Sequence, residues 1–140
     1  MTDSNGARHM TQSIAAGRTR VLVVDDEPGI LEFADRTLRA AGYHTSTAAN
    51  GPAALALAES VGPFDLLLTD VRMPEMTGDE LARRIRRFCP DLKVLYLTGY
   101  SDQLFHQKGA LWTGEAFLDK PSSATGLLQA ISLLLYGRLT

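Results

Sequence analysis

Val21 to Asp26 reads VLVVDD and Leu66 to Asp70 reads LLLTD: two short apolar runs, the first closed by a pair of carboxylates and the second by one. Neither run alternates with polar residues, which is the pattern of strands covered on both faces of a parallel sheet. Two further runs end in polar residues of other kinds. Leu95 to Gly99 (LYLTG) delivers the Thr98 hydroxyl, and Phe117 to Pro121 (FLDKP) delivers the Lys120 ammonium.

Working outward, β-rich runs alternate with helical patterns, as in stacked strand-helix-strand units. Strands are expected at Arg20–Val24, Tyr43–Thr47, Asp65–Thr69, Lys93–Leu97 and Ala116–Leu118. The first helix starts at Pro28, carries Ile30, Leu31, Ala34, Leu38 and Ala41 at helical spacing, and stops at Gly42. Asn50-Gly51-Pro52 opens an alanine-rich helix ending near Ser60. Pro74 and Gly78 bracket the loop after Asp70, and the next helix, Asp79 to Phe88, is expected to bury Leu81, Ile85 and Phe88. Helices are also expected at Asp102–Trp112 and Ser123–Tyr136. Five strands and five helices suggest an α/β, flavodoxin-like, doubly wound five-stranded parallel sheet of order 2-1-3-4-5, with helices on both faces. That order makes strands one and three neighbours at the topological switch point, so Asp25, Asp26 and Asp70 converge outside their carboxyl ends.

Composition narrows the class. A chain of 140 residues has room for one domain with a proper core. Residues 1–18 are polar and without period, with a His9-Met10 pair that looks like a cloning junction; they are read as a disordered or vector-derived tail before a domain at 19–138. The net charge of -2 gives no reason to expect direct contact with nucleic acid or an anionic membrane. No apolar stretch reaches the roughly 20 residues that span a bilayer, and the expected location is cytoplasmic. The one cysteine, Cys89, excludes an internal disulfide; a packed thiol is the expectation. His44 and His106 have no partner at ligand spacing, and Arg83, Arg84, Arg86 and Arg87 are read as a solvated helix face.

Three converging carboxylates pose an electrostatic problem. Two like charges about 4 Å apart repel by about 4 kcal/mol at an effective dielectric near 20, and a third adds to it. Either a carboxyl holds a proton or a hard divalent cation with oxygen ligands, magnesium being the abundant candidate, neutralises the cluster. With the cation, ionised Asp70 can attack a phosphoryl group, while Thr98 and Lys120 supply a hydroxyl donor and a fixed positive charge.

VLVVDDEP, LLLTDVRMPEMTGDEL, LYLTGYSD and FLDKP, in that order and spacing, resemble the response-regulator receiver domains of two-component signalling over about Thr19 to Gly137. The resemblance implies Asp70 as phosphoacceptor, Asp26 as direct Mg2+ ligand, Asp25 as a ligand through water and the Arg72 carbonyl as backbone ligand. It implies Thr98 as switch hydroxyl, Lys120 as phosphate-pairing lysine, Phe117 as switch aromatic and a cis peptide between Lys120 and Pro121. Arg72 and Tyr100 occupy positions that border the phosphoryl group, with Tyr100 expected to hinder the hydrolytic water. Ser122 stands where many relatives have phenylalanine.

The implied function is to accept a phosphoryl group from a phosphohistidine donor, a histidine kinase or histidine phosphotransfer protein, and to change a binding surface in response. Catalysis is confined to the domain's own phosphorylation and dephosphorylation. LTGYSD and AFLDKP resemble receivers of hybrid histidine kinases, so the chain is read as a stand-alone receiver or one excised from such a kinase, with no output domain after its last helix. On that helix Leu127, Leu128, Ile131, Leu134 and Leu135 exceed one stripe, and Leu133 and Tyr136, with Trp112, are candidates for a partner or homodimer surface. Two alternatives are a phosphorylation-independent docking module and a Mg-dependent aspartyl-phosphate phosphohydrolase; the second expects a DxD spacing that Asp25-Asp26-Glu27 lacks.

Overall fold

The strand ends suffice to build the molecule. In the computed structural model, which describes residues 19–99, 114–120 and 123–137, one parallel sheet contains β1 (Arg20–Val24), β2 (His44–Ala48), β3 (Leu66–Thr69), β4 (Lys93–Thr98) and β5 (Glu115–Asp119) in the order β2-β1-β3-β4-β5. Four helices are described: α1 (Pro28–Ala40), α2 (Gly51–Ser60), α3 (Gly78–Arg86) and α4 (Ala124–Tyr136).

Side chains of a strand alternate between its faces, so the sheet sorts its residues into two cores. Leu22, Val24, Leu67, Val94 and Tyr96 pack with Ala54 and Ala58 of α2 and with Leu81, Ala82 and Ile85 of α3. Val21, Val23, Leu66, Leu68, Leu95 and Leu97 pack with Ala34 and Leu38 of α1 and with Leu127 and Ile131 of α4. Both faces are therefore covered, and that is why β1, β3 and β4 are apolar between their ends while the edge strand β2 (HTSTA) is mostly polar.

The helices begin where their caps dictate. Asn50 accepts a bond from the Ala53 N–H at 2.8 Å, Thr77 from Glu80 at 3.2 Å and Ser123 from Gly126 at 3.0 Å. In α3 the acids Asp79 and Glu80 occupy the first turn and Arg83, Arg84 and Arg86 the last, matching the helix dipole at both ends. Gly137 ends α4 with φ 73, a left-handed conformation that suits glycine.

Several boundaries and one burial differ from the sequence reading. β5 begins at Glu115 and ends at Asp119, so two charged residues belong to the strand that Ala116–Leu118 had defined. β2 begins at His44, with Tyr43 buried just before it. α3 ends at Arg86, and Phe88, expected in the core, is 44% exposed, because the chain leaves the helix before the Leu81-Ile85-Phe88 stripe is complete. Arg86 does not join a solvated face. Its side chain, 14% exposed, reaches the fully buried Glu115 carboxylate at 2.8 Å and donates to the Leu92 carbonyl at 3.1 and 3.3 Å. Tyr96 donates to the same Glu115 oxygen at 3.2 Å, and burial together with the Glu115 and Asp79 charges pushes its phenol far up, so it stays protonated. Cys89 is packed and His44 exposed, as expected. The tail, the helix expected at Asp102–Trp112, and His106, Tyr100, Pro121 and Ser122 lie outside the described residues.

Candidate phosphoryl-acceptor and metal site

The register carries the acids together. Val24 of β1 pairs with Thr69 of β3, so the residues that follow, Asp25 and Asp70, emerge side by side. The Asp70 N–H donates to the Val24 carbonyl at 3.0 Å and the Asp25 N–H to the Ala48 carbonyl at 3.3 Å, which extends the ladder past both strand ends. On the other side Thr98 pairs with Asp119, and the Lys120 N–H donates to the Thr98 carbonyl at 2.8 Å. Four loops thus meet at one edge of the sheet.

Carboxylate oxygens of Asp25, Asp26 and Asp70 lie within 4.8 Å of one another, with Asp25 and Asp70 buried and Asp26 exposed. The Lys120 ammonium sits among acids, 2.9 Å from Asp25 Oδ2, 3.4 Å from Asp70 Oδ2 and 3.4 Å from Glu27 Oε1. Burial pushes the Asp70 carboxyl up, with the Asp25 charge acting the same way; Lys120 and the Arg72 backbone N–H oppose the rise without cancelling it. Burial alone would pull Lys120 down, but contact with Asp25 and the charges of Asp70, Asp25 and Glu27 raise it, so the lysine is held as a cation.

The donor set suits a hard divalent ion. Asp25 Oδ1 accepts the Glu27 N–H at 2.9 Å, and the buried Oδ2 faces the Lys120 ammonium at 2.9 Å. One ammonium against three converging aspartates and Glu27 leaves excess negative charge, and the ligands available are all oxygen.

The loop after Asp70 is held closely. Gly78 begins α3 with its N–H on the Val71 carbonyl at 2.9 Å, and a Cβ there would lie 2.1 Å from the Asp70 carbonyl oxygen. Only glycine fits at that distance. An open cleft lined by Asp26, Glu27, Ile30, Asp70, Arg72, Gly99 and Lys120 lies above the acids. A Cβ on Gly99 would meet nothing within 4 Å, so the space beside it is available to a ligand.

Of the residues expected at the acid site and the switch, all but Tyr100 fall within the described residues, while Trp112, expected at the partner surface, lies outside them. Thr98 is buried at the end of β4, Phe117 is partly buried against the core that contains Tyr96, and Arg72 is exposed at the cleft rim with its N–H toward Asp70. On α4, Leu127 and Ile131 are buried, Leu133 is 51% exposed, and Tyr136 is tied through its hydroxyl to Thr19 Oγ1 at 2.8 Å. Glu27 was not anticipated as a site residue; its place beside Asp25-Asp26 in the chain was the available signal. No helix among the described residues is long and apolar enough to cross a membrane.

Comparison with known proteins identifies the family of the fold. Residues 21–132 match the family model described as response regulator receiver domain. The receiver protein CpdR of Brucella abortus is 35% identical over 116 residues, which cover 83% of this chain and 96% of CpdR. The sensor kinase CckA of the same organism is 34% identical over 121 residues, 86% of this chain but 13% of that protein. Among solved structures, TrrA of Thermotoga maritima in complex with Mg(2+)-BeF is similar with a TM-score of 0.71 and 37% identity, covering 84% of this chain and 99% of TrrA.

Proposed function

The chain belongs to the response regulator receiver family, and from that premise we propose that Asp70 accepts a phosphoryl group from a phosphohistidine on a histidine kinase or histidine phosphotransfer protein. Receiver domains are signalling modules that bind Mg2+ at an acidic pocket and interact with such kinases or phosphotransfer proteins. The observation that carries the assignment to Asp70 is its buried carboxylate, flanked by Asp25 and Asp26 and faced by Lys120 Nζ at 3.4 Å.

An Asp70 oxygen forms the new bond to phosphorus as the bond from phosphorus to the donor imidazole nitrogen breaks, and the imidazole leaves with the electron pair. Magnesium held by Asp25, Asp26, Asp70 and the Arg72 carbonyl would supply shielding of the charge between nucleophile and phosphoryl oxygens. Lys120 pairs with one phosphoryl oxygen and the Thr98 hydroxyl donates to another. Movement of Thr98 toward the phosphoryl group then lets Phe117 repack, changing the surface offered to a partner. Arg72 and Tyr100 are proposed to set how long the phosphoryl group survives; Tyr100→Ala is expected to shorten that lifetime. Leu133 is proposed as part of a partner or homodimer face, an idea refuted if Leu133→Asp leaves both self-association and partner binding unchanged.

Such a domain can act alone, as the length match to CpdR supports, or within a hybrid kinase, as the match to part of CckA supports. A cytoplasmic setting, where magnesium is plentiful, is part of the same proposal. The deciding experiment is intact mass after incubation with acetyl phosphate and magnesium. One phosphoryl adduct, absent from Asp70→Asn and abolished by a chelator, is the expected result; an unmodified wild-type mass, with no response to beryllofluoride, would overturn the proposal.

A further inference from the structure

Glu27 stands at the N-cap of α1, a position whose side chain ordinarily accepts a hydrogen bond from the first turn, yet its side chain makes no such bond. The backbone around it is fixed nonetheless. Its N–H donates to Asp25 Oδ1 at 2.9 Å and its carbonyl accepts the Leu31 N–H at 3.1 Å. The carboxylate reaches instead across the cleft to Lys120, its oxygen 3.4 Å from Nζ, although the two residues are 93 positions apart.

The three acids around the ammonium differ in kind. Asp25 and Asp70 are buried, with side chains 3% and 11% exposed, whereas that of Glu27 is 63% exposed at the rim. Asp25 and Asp70 also belong to the oxygen cluster suited to a divalent cation; Glu27 does not. A cation on those oxygens would compete with the ammonium for two of the three carboxylates it meets, and Glu27 is the one not drawn into that competition. We propose that Glu27 is a positioning residue for Lys120, holding the ammonium over the pocket while the cation is bound and yielding it when a phosphoryl group arrives on Asp70. The inference rests on the receiver function proposed above and adds to it a residue that regulates the same site.

Two consequences have opposite signs. Before phosphorylation, Glu27 favours cation binding, both by its own charge and by keeping a partner for the displaced lysine. After phosphorylation, the same carboxylate competes with the phosphoryl oxygens for the lysine and repels their charge. Glu27→Gln should therefore weaken binding of magnesium alone and strengthen binding of beryllofluoride, a phosphoryl mimic, measured at saturating magnesium. Each change is expected to be about two- to fivefold, the range an exposed ion pair commands.

The test follows the Lys120 Cε–Hε cross-peak by NMR during each titration, in wild type and in Glu27→Gln; Lys93 and Lys108 are the other lysines of the chain. The variant's peak in magnesium should also move toward the position of a free lysine, and Glu27→Ala should repeat both signs. Equal affinities in wild type and variants would overturn the role of Glu27 while leaving the receiver function standing. Loss of both affinities together would also overturn it, since a merely structural contribution has that signature. A wild-type protein that binds neither magnesium nor beryllofluoride would overturn the receiver reading and this inference with it.

Discussion

Replacing Glu115 with alanine removes a buried carboxylate that Arg86 reaches at 2.8 Å. The Glu115 side chain is fully buried and Arg86 is 14% exposed, so water cannot take over the lost contact. Removing one partner of such a pair costs about 3–5 kcal/mol, because the other charge is left uncompensated. Arg86 keeps the Leu92 carbonyl, at 3.1 and 3.3 Å, and Tyr96 keeps a long contact to Asp79 at 3.5 Å, which places the expected loss near the lower end, about 3 kcal/mol. For a domain of this size that corresponds to a Tm lower by roughly 10–15 °C. Urea unfolding followed by circular dichroism measures it directly. Arg86→Met combined with Glu115→Leu removes both charges and is expected to lie within about 1 kcal/mol of wild type. The phosphoryl adduct should form normally in the folded double variant, because Glu115 begins β5 and Lys120 follows its end, roughly 16 Å away along the strand. A loss below about 1 kcal/mol in Glu115→Ala, or a double variant no more stable than the single, would refute this account of the network.

Other perturbations follow from the same packing. Gly78→Ala, despite a gain in helix propensity, should cost about 1–3 kcal/mol and slow phosphorylation, since its Cβ must displace the Asp70 carbonyl that it would meet at 2.1 Å; denaturation and intact-mass kinetics check both. Leu81→Ala should cost about 2–5 kcal/mol in denaturant unfolding, whereas Phe88→Ser, outside the core, should cost no more than about 1 kcal/mol. Burial pushes the Asp35 carboxyl up, but hydrogen bonds from Thr45 and Arg39 and the Arg39 charge outweigh it and leave it below 3.8. A depressed carboxyl stabilises the fold above its unfolded pKa and loses that contribution as pH falls through the folded value. Asp35→Asn should thus be less stable than wild type by under about 1 kcal/mol at pH 7, with the gap closing in acid; unfolding curves across pH test the sign.

The acid site was legible because its information is local. Asp25, Asp26 and Asp70 each close an apolar run, and a parallel sheet of this order leaves them no place but one edge. The helix starts at Asn50 and Ser123 were equally local, whereas the Thr77 cap of α3, one residue ahead of Gly78, went unread. What was missed depends on partners distant in the chain. Arg86 looked solvated because nothing near it in sequence announces Glu115, and Glu115 was left out of its strand because a buried charge is intelligible only beside Arg86 and Tyr96. Phe88 continued a helical stripe that the backbone had already left. Glu27 and Lys120 meet only once β1 and β5 share a sheet, so their pairing follows from topology and not from either motif.

The adjacency of β1 and β3 also links ion supply to the survival of the fold. In the unfolded chain Asp70 is remote from Asp25 and Asp26, and its repulsion by that pair arises only on folding. A ligand that binds the folded pocket and not the unfolded chain shifts the folding equilibrium by mass action, by about 2.7 kcal/mol at a hundred times its Kd. That is a sizeable share of the stability of a domain whose whole margin is about 5–15 kcal/mol. If the pocket binds magnesium as proposed, depleting divalent ions would thin the margin of the fold at the same moment as it removes the shielding proposed for Asp70, so that stability and phosphoryl acceptance would fall together.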